Sequence, residues 1–81
     1  MILFTKPHCQ KCEDIKRKLQ VANVAFEAKS MDEPANLTEL VDSLNTAGIK
    51  NPLMPVIKFD DGTVVSNDMG LYKALKERKI L

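Results

Sequence analysis

The sequence predicts an α/β fold in the order β-α-β-α-β-β-α, a four-stranded mixed sheet flanked by three helices. Three observations carry that prediction. An apolar run of strand length, Met1 to Thr5, leads straight into a segment with helical periodicity. A second, clearly amphipathic segment ends at Gly48, the residue type that most often closes a helix. Two short β-rich runs then flank Asp60-Asp61-Gly62, a hairpin signature.

The elements follow in order. Met1-Ile2-Leu3-Phe4-Thr5 is closed by Lys6-Pro7, because proline disfavours helix in the residue before it. A helix fits about Gln10 to Ala22, where Cys12, Ile15, Leu19 and Ala22 recur at spacings of three and four on one face. Val24 to Ala28 alternates weakly and reads as the second strand. A strand-helix-strand unit this short crosses over right-handed, which makes those two strands parallel. Turn and cap signals occupy Asp32 to Asn36, with Glu39 three residues after Asn36 as a partial capping box. Leu37, Leu40, Val41 and Leu44 form the apolar face of the next helix, and residues 51–55 form a loop. Val56 to Phe59 and Thr63 to Val65 make the antiparallel hairpin. A last helix, from about Asp68 to Lys79, buries Leu71, Ala74 and Leu75 and covers the sheet. The central strands can then be covered on both faces, which suits their nearly continuous apolar character.

Eighty-one residues are enough for a single domain, residues 1–81, with a thin core supplied by 44% hydrophobic residues. Twelve basic against eleven acidic side chains leave a net charge of +1, which excludes the electrostatic footprint of a nucleic-acid binder or a polybasic membrane anchor. The charge is nonetheless uneven: residues 1–30 carry +3 and the remainder −2. No apolar run approaches membrane-spanning length, and the first residues lack the charged leader and long apolar stretch of a secretory signal. A soluble cytoplasmic protein is the expectation. Two cysteines are too few for a disulfide scaffold, and one Tyr with no Trp offers no aromatic platform for nucleic acid.

The chemistry concentrates in Cys9-Gln10-Lys11-Cys12, which follows the first strand and opens the first helix. Cys12 shares the apolar face of Ile15 and Leu19 and should be partly buried, whereas Cys9 precedes the first turn and should be exposed. A sulfur at a helix N-terminus meets unpaired backbone N–H groups and the positive end of the dipole, and both favour thiolate. Lys6, Lys11 and His8 add positive charge or proton-shuttling capacity nearby. This asymmetry suits thiol–disulfide exchange, in which one thiolate attacks and a second thiol resolves the mixed disulfide. Other readings stand beside it. A structural zinc site wants four ligands where Cys9, Cys12 and His8 supply three. A structural disulfide would close too short a loop to constrain the unfolded chain much, and two inert cysteines are a further alternative.

The segment Phe4-Thr5-Lys6-Pro7-His8-Cys9-Gln10-Lys11-Cys12 resembles the active-site opening of glutaredoxins, and Met54-Pro55-Val56 is similar to their cis-proline motif. The resemblance implies a thioredoxin-like, glutaredoxin-type fold and a disulfide oxidoreductase, with Cys9 as nucleophile and Cys12 as resolving thiol. It also implies Pro55 in cis beside them, Met54 offering its backbone to an extended substrate, and Lys6 gripping a substrate carboxylate. No tightly bound cofactor is implied; glutathione or a thioredoxin-reductase system would donate electrons. Glutaredoxins usually carry Pro-Tyr between the cysteines and a Gly-Gly pair before the last helix. Here Gln10-Lys11 and Ser66-Asn67 stand instead, and only Asp68 could supply the carboxylate that meets glutathione. In size and in the polar residues between its cysteines the chain is similar to small redoxins that feed ribonucleotide reductase and draw on thioredoxin reductase. The implied partners are therefore a disulfide-containing protein, ribonucleotide reductase being a candidate, and a reductase or glutathione, with the chain itself a monomer. A metal or iron–sulfur carrier using Cys9, or a binding module on the same fold, are the competing functions.

Overall fold

A computed structural model describes residues 1–67 and 70–81. Its described elements are β1 (Ile2–Thr5), α1 (Gln10–Val21), β2 (Glu27–Ser30), α2 (Pro34–Ala47), β3 (Val56–Lys58), β4 (Val64–Ser66) and α3 (Leu71–Glu77). The sheet order is β2-β1-β3-β4; β1 runs parallel to β2 and antiparallel to β3, and β3 is antiparallel to β4. The expected element order and mixed sheet are thus present.

Alternation along the strands divides the core into two halves. Leu3, Ile57 and Val65 point to one face, where Ile15 and Leu19 of α1 and Leu71 and Leu75 of α3 bury against them. Phe4, Val56 and Val64 point to the other, packed against Leu40 and Leu44 of α2. Ala74 only partly joins the first half. α2 touches both edge strands, β2 and β4, so it crosses the sheet.

Local signals set several boundaries. Gly48 closes α2 at φ 72°, a left-handed conformation that costs a residue without Cβ nothing. The hairpin turn is a three-residue loop, with Gly62 N–H donating to Phe59 O at 2.9 Å and Gly62 itself left-handed at φ 89°. Asp61 Oδ1 accepts from Thr63 N–H at 2.9 Å, and its other oxygen accepts from Arg78, which also stacks on Phe59 with its guanidinium 4.0 Å from the ring centre. Hydrogen bonds from Thr63, and to a lesser degree the bond to and charge of Arg78, hold the Asp61 carboxyl below its usual value. A depressed folded-state value adds stability above the unfolded value of about 3.8, and the contribution disappears as pH falls through the lower folded value. Asp61→Asn keeps the turn acceptor without the charge, so its melting temperature should fall less steeply than that of the unmodified protein below about pH 4. Parallel acid limbs in thermal scans of the two proteins would exclude this role.

Three expectations require correction. The second strand lies at Glu27–Ser30, starting three residues later than the expected Val24–Ala28, because its register is set by β1: Ile2 pairs with Glu27 and Thr5 with Ser30. Val24 and Phe26 instead pack against the first half of the core from outside the sheet. The capping box at Asn36 does not form. α2 begins at Pro34 with Glu33 as its N-cap; Asn36 Nδ2 donates to Ser30 O, and Glu39 pairs with Lys29. That pairing raises the Lys29 ammonium above its usual value, since the hydrogen bond to Glu39 favours the charged form. Finally, α3 runs Leu71–Glu77 after a left-handed Gly70; the expected start at Asp68 lies outside the described residues, and the expected end at Lys79 is not reached, since Lys79 is left-handed beyond the helix.

Candidate functional site

β1 ends at Thr5, and Lys6, Pro7 and His8 carry the chain over the exposed end of the sheet to Cys9. His8 sits at φ 56°, a left-handed conformation that histidine adopts more readily than most residues with a side chain. No local pattern in the sequence marks it. Cys9 is the N-cap of α1: its backbone is extended, its carbonyl accepts from Glu13 N–H at 3.1 Å, and its Sγ accepts from Cys12 N–H at 3.2 Å. The sulfur therefore occupies the place where a serine or aspartate oxygen usually satisfies a helix's first N–H groups.

Cys9 and Cys12 are joined as a disulfide. Cys12 is 1% exposed, on the face that also buries Ile15 and Leu19. Cys9 is 9% exposed, so the expectation of an openly exposed sulfur is corrected. Capping folds its side chain back over the helix start, and the bond to Cys12 draws it further in. The asymmetry nevertheless keeps its direction, with Cys9 the more accessible of the two.

The register brings the proline loop to the same end. The β1–β3 ladder finishes with Phe4 opposite Val56, so Met54 and Pro55 stand beyond the last pair, where β1 leaves the sheet for the cysteines. The Met54–Pro55 bond is cis, and Pro55 is buried while Met54 is partly exposed and packs against the α2 half of the core. Asn67 N–H donates to Leu53 O at 3.0 Å, which ties the start of the turn after β4 to this loop. Met31 N–H donates to Thr5 O at 2.8 Å and anchors the end of β2 there as well. The structure thus gathers the cysteine turn and Met54-Pro55 at one end of the sheet. Lys6 and His8 lie exposed on the connection between β1 and Cys9. Asp68 lies outside the described residues.

Lys11 is exposed in the first turn of α1, and Gln10 donates to Asp14 at 3.1 Å, so the two residues between the cysteines face solvent. Among the described residues, no group of three or more His, Cys, Asp and Glu side chains could hold a metal ion. No described helix is long and apolar enough to cross a membrane. A cleft of about 470 Å³ opens elsewhere, between Thr38, Asp42 and Thr46 of α2 and Lys58 and Gly62 of the hairpin. Lys58 pairs with Ile2 at the beginning of β1, so this cleft lies toward the end opposite the cysteines.

Residues 1–65 match the family model described as Glutaredoxin. No curated protein and no solved structure matches the chain significantly.

Proposed function

Because the chain belongs to the glutaredoxin family, we propose that it is a thiol–disulfide oxidoreductase that reduces protein or small-molecule disulfides through Cys9 and Cys12. The observation that carries this reading is the Cys9 sulfur capping α1, bonded to Cys12 and accepting its N–H. In the reduced protein the same N–H and the helix dipole favour a Cys9 thiolate. That thiolate attacks one sulfur of a substrate disulfide; the substrate S–S bond breaks, and one thiolate leaves and takes a proton. Cys12, deprotonated, then attacks the Cys9 sulfur. The second substrate thiol departs, the Cys9–Cys12 disulfide forms, and two electrons have passed to the substrate. Pro55, which is buried, and Met54 lie beyond the last β1–β3 pair, and in this reading the Met54 backbone pairs with an extended substrate.

The electron donor we propose is a thioredoxin-reductase-type enzyme in preference to glutathione. Lys6 could hold one glutathione carboxylate, but the turn after β4 serves the other end poorly. Ser66 is fully buried, Asn67 N–H is engaged by Leu53 O, and both residues carry side chains where the family usually has glycines. Each lost hydrogen bond to a charged group costs about 1.5–3 kcal/mol, roughly ten- to hundredfold in affinity. The same oxidised protein should therefore be reduced rapidly by thioredoxin reductase and NADPH, and slowly by glutathione with glutathione reductase. Efficient, saturable turnover at millimolar glutathione would reverse the assignment of the donor. No reduction of a small disulfide by the dithiol protein would remove the oxidoreductase reading altogether.

A further inference from the structure

α2 carries more apolar surface than the core uses. Leu40 and Leu44 are buried, yet Leu37 and Val41 remain 48% and 45% exposed. The crossing of the sheet by α2 explains where they point. One flank of the helix, with Thr38, Asp42 and Thr46, lines the cleft that it shares with Lys58 and Gly62 toward the far end of the sheet. Leu37 and Val41 fall on the opposite flank at helical spacing, away from the cleft and so toward the cysteine end of the sheet. The loop after Gly48 returns along that side: Ile49 N–H donates to Leu44 O, and Val56 must arrive opposite Phe4. Leu53, on this return, is itself 53% exposed and immediately precedes Met54-Pro55.

From this arrangement, and resting on the oxidoreductase reading above, we infer that Leu37, Val41 and Leu53 form an apolar shelf beside the redox dithiol. The shelf selects extended polypeptide disulfides whose cysteine is flanked by large apolar side chains. Two arguments choose this occupant. The shelf is continuous, through Leu53 and Met54, with the loop that would hold the substrate backbone. Its three half-exposed side chains are too few to supply the roughly 800 Å² per partner of a stable dimer but are suited to one or two side chains of a passing strand. Glutathione, whose cysteine lies between a γ-linked glutamate and a glycine, presents nothing to such a surface.

The test is a single-turnover comparison of two disulfide-linked peptide dimers, identical except for Leu-Cys-Leu or Ser-Cys-Ser at the centre. The pre-reduced protein supplies both electrons, so each turnover converts one peptide disulfide to two thiols and forms the Cys9–Cys12 disulfide. The leucine dimer should react about tenfold faster at limiting concentration, equivalent to about 1.4 kcal/mol. In Leu37→Ser/Val41→Ser, and separately in Leu53→Ser, the ratio should fall towards one. Comparing the two peptides within each variant cancels any general loss of activity. A ratio near one in the unmodified protein, or an unchanged ratio in both variants, would overturn the inference while leaving the oxidoreductase reading intact. Failure to reduce either peptide or bis(2-hydroxyethyl) disulfide would overturn both. Concentration-dependent dimerisation in sedimentation experiments, lost in the double variant, would assign the shelf to a second copy of the chain and equally overturn the inference.

Discussion

Cys9→Ser is expected to abolish dithiol turnover, by about a thousandfold or more, because a hydroxyl at the α1 N-cap can still satisfy the helix but cannot attack a disulfide. Cys12→Ser should behave differently. Its Cys9 still attacks, no thiol remains to resolve the adduct, and mixed disulfide should accumulate to near one equivalent when the variant meets an oxidised substrate. Intact-mass measurement after acid quenching distinguishes the two outcomes. The expected order follows from accessibility, 9% for Cys9 against 1% for Cys12, and from the capping contact that Cys12 N–H makes to the Cys9 sulfur. Preferential alkylation of Cys12 in the reduced protein at neutral pH would invert the assignment. Because serine is itself a good N-cap, the stability of Cys9→Ser should change little, so loss of turnover would report chemistry and not unfolding.

Phe4→Ala is the substitution expected to cost the fold most. Phe4 is fully buried and packs in the α2 half of the core with Leu40, Leu44, Val56 and Val64. Removing a buried phenyl ring forfeits its transfer free energy and leaves a cavity, together about 3–5 kcal/mol. For 81 residues the whole stability is on the order of 4–12 kcal/mol, so the variant should be barely folded at room temperature. Urea unfolding should show a large fall in midpoint with little change in slope. A loss under about 1 kcal/mol would mean that α2 does not close over this face of the sheet. The site should suffer as well, since Phe4 pairs with Val56 next to the proline loop and lies five residues before Cys9.

Much of the fold is legible in short segments because the physics there is local. The α1 face is written in Cys12, Ile15 and Leu19, and all three are buried. Gly48 and Gly62 mark a helix end and a turn because both positions take positive φ, where a Cβ is strained. The redox pair is legible for the same reason. A strand, a short turn and a helix start place Cys9 where the helix's unpaired N–H groups gather, whatever the rest of the chain does.

Local physics therefore suffices for the order of elements, the helix faces, the glycine stops and the position of the cysteine turn at the start of α1. The rest depends on long-range packing. It moved the second strand to Glu27–Ser30, since a strand whose burial pattern is mostly exposed takes its register from the neighbour it pairs with and not from its own alternation. It left Leu37 and Val41 half-exposed, because α2 crosses the sheet and only Leu40, Ser43 and Leu44 reach it. The isomer of the Met54–Pro55 bond was decided there too, between forms that differ by only about 0.5–1 kcal/mol in a free chain. So was the depth of Cys9, which capping and the bond to Cys12 set lower than its place before the first turn suggests. In each case pairing or packing against another segment, and not the local preference, sets the outcome.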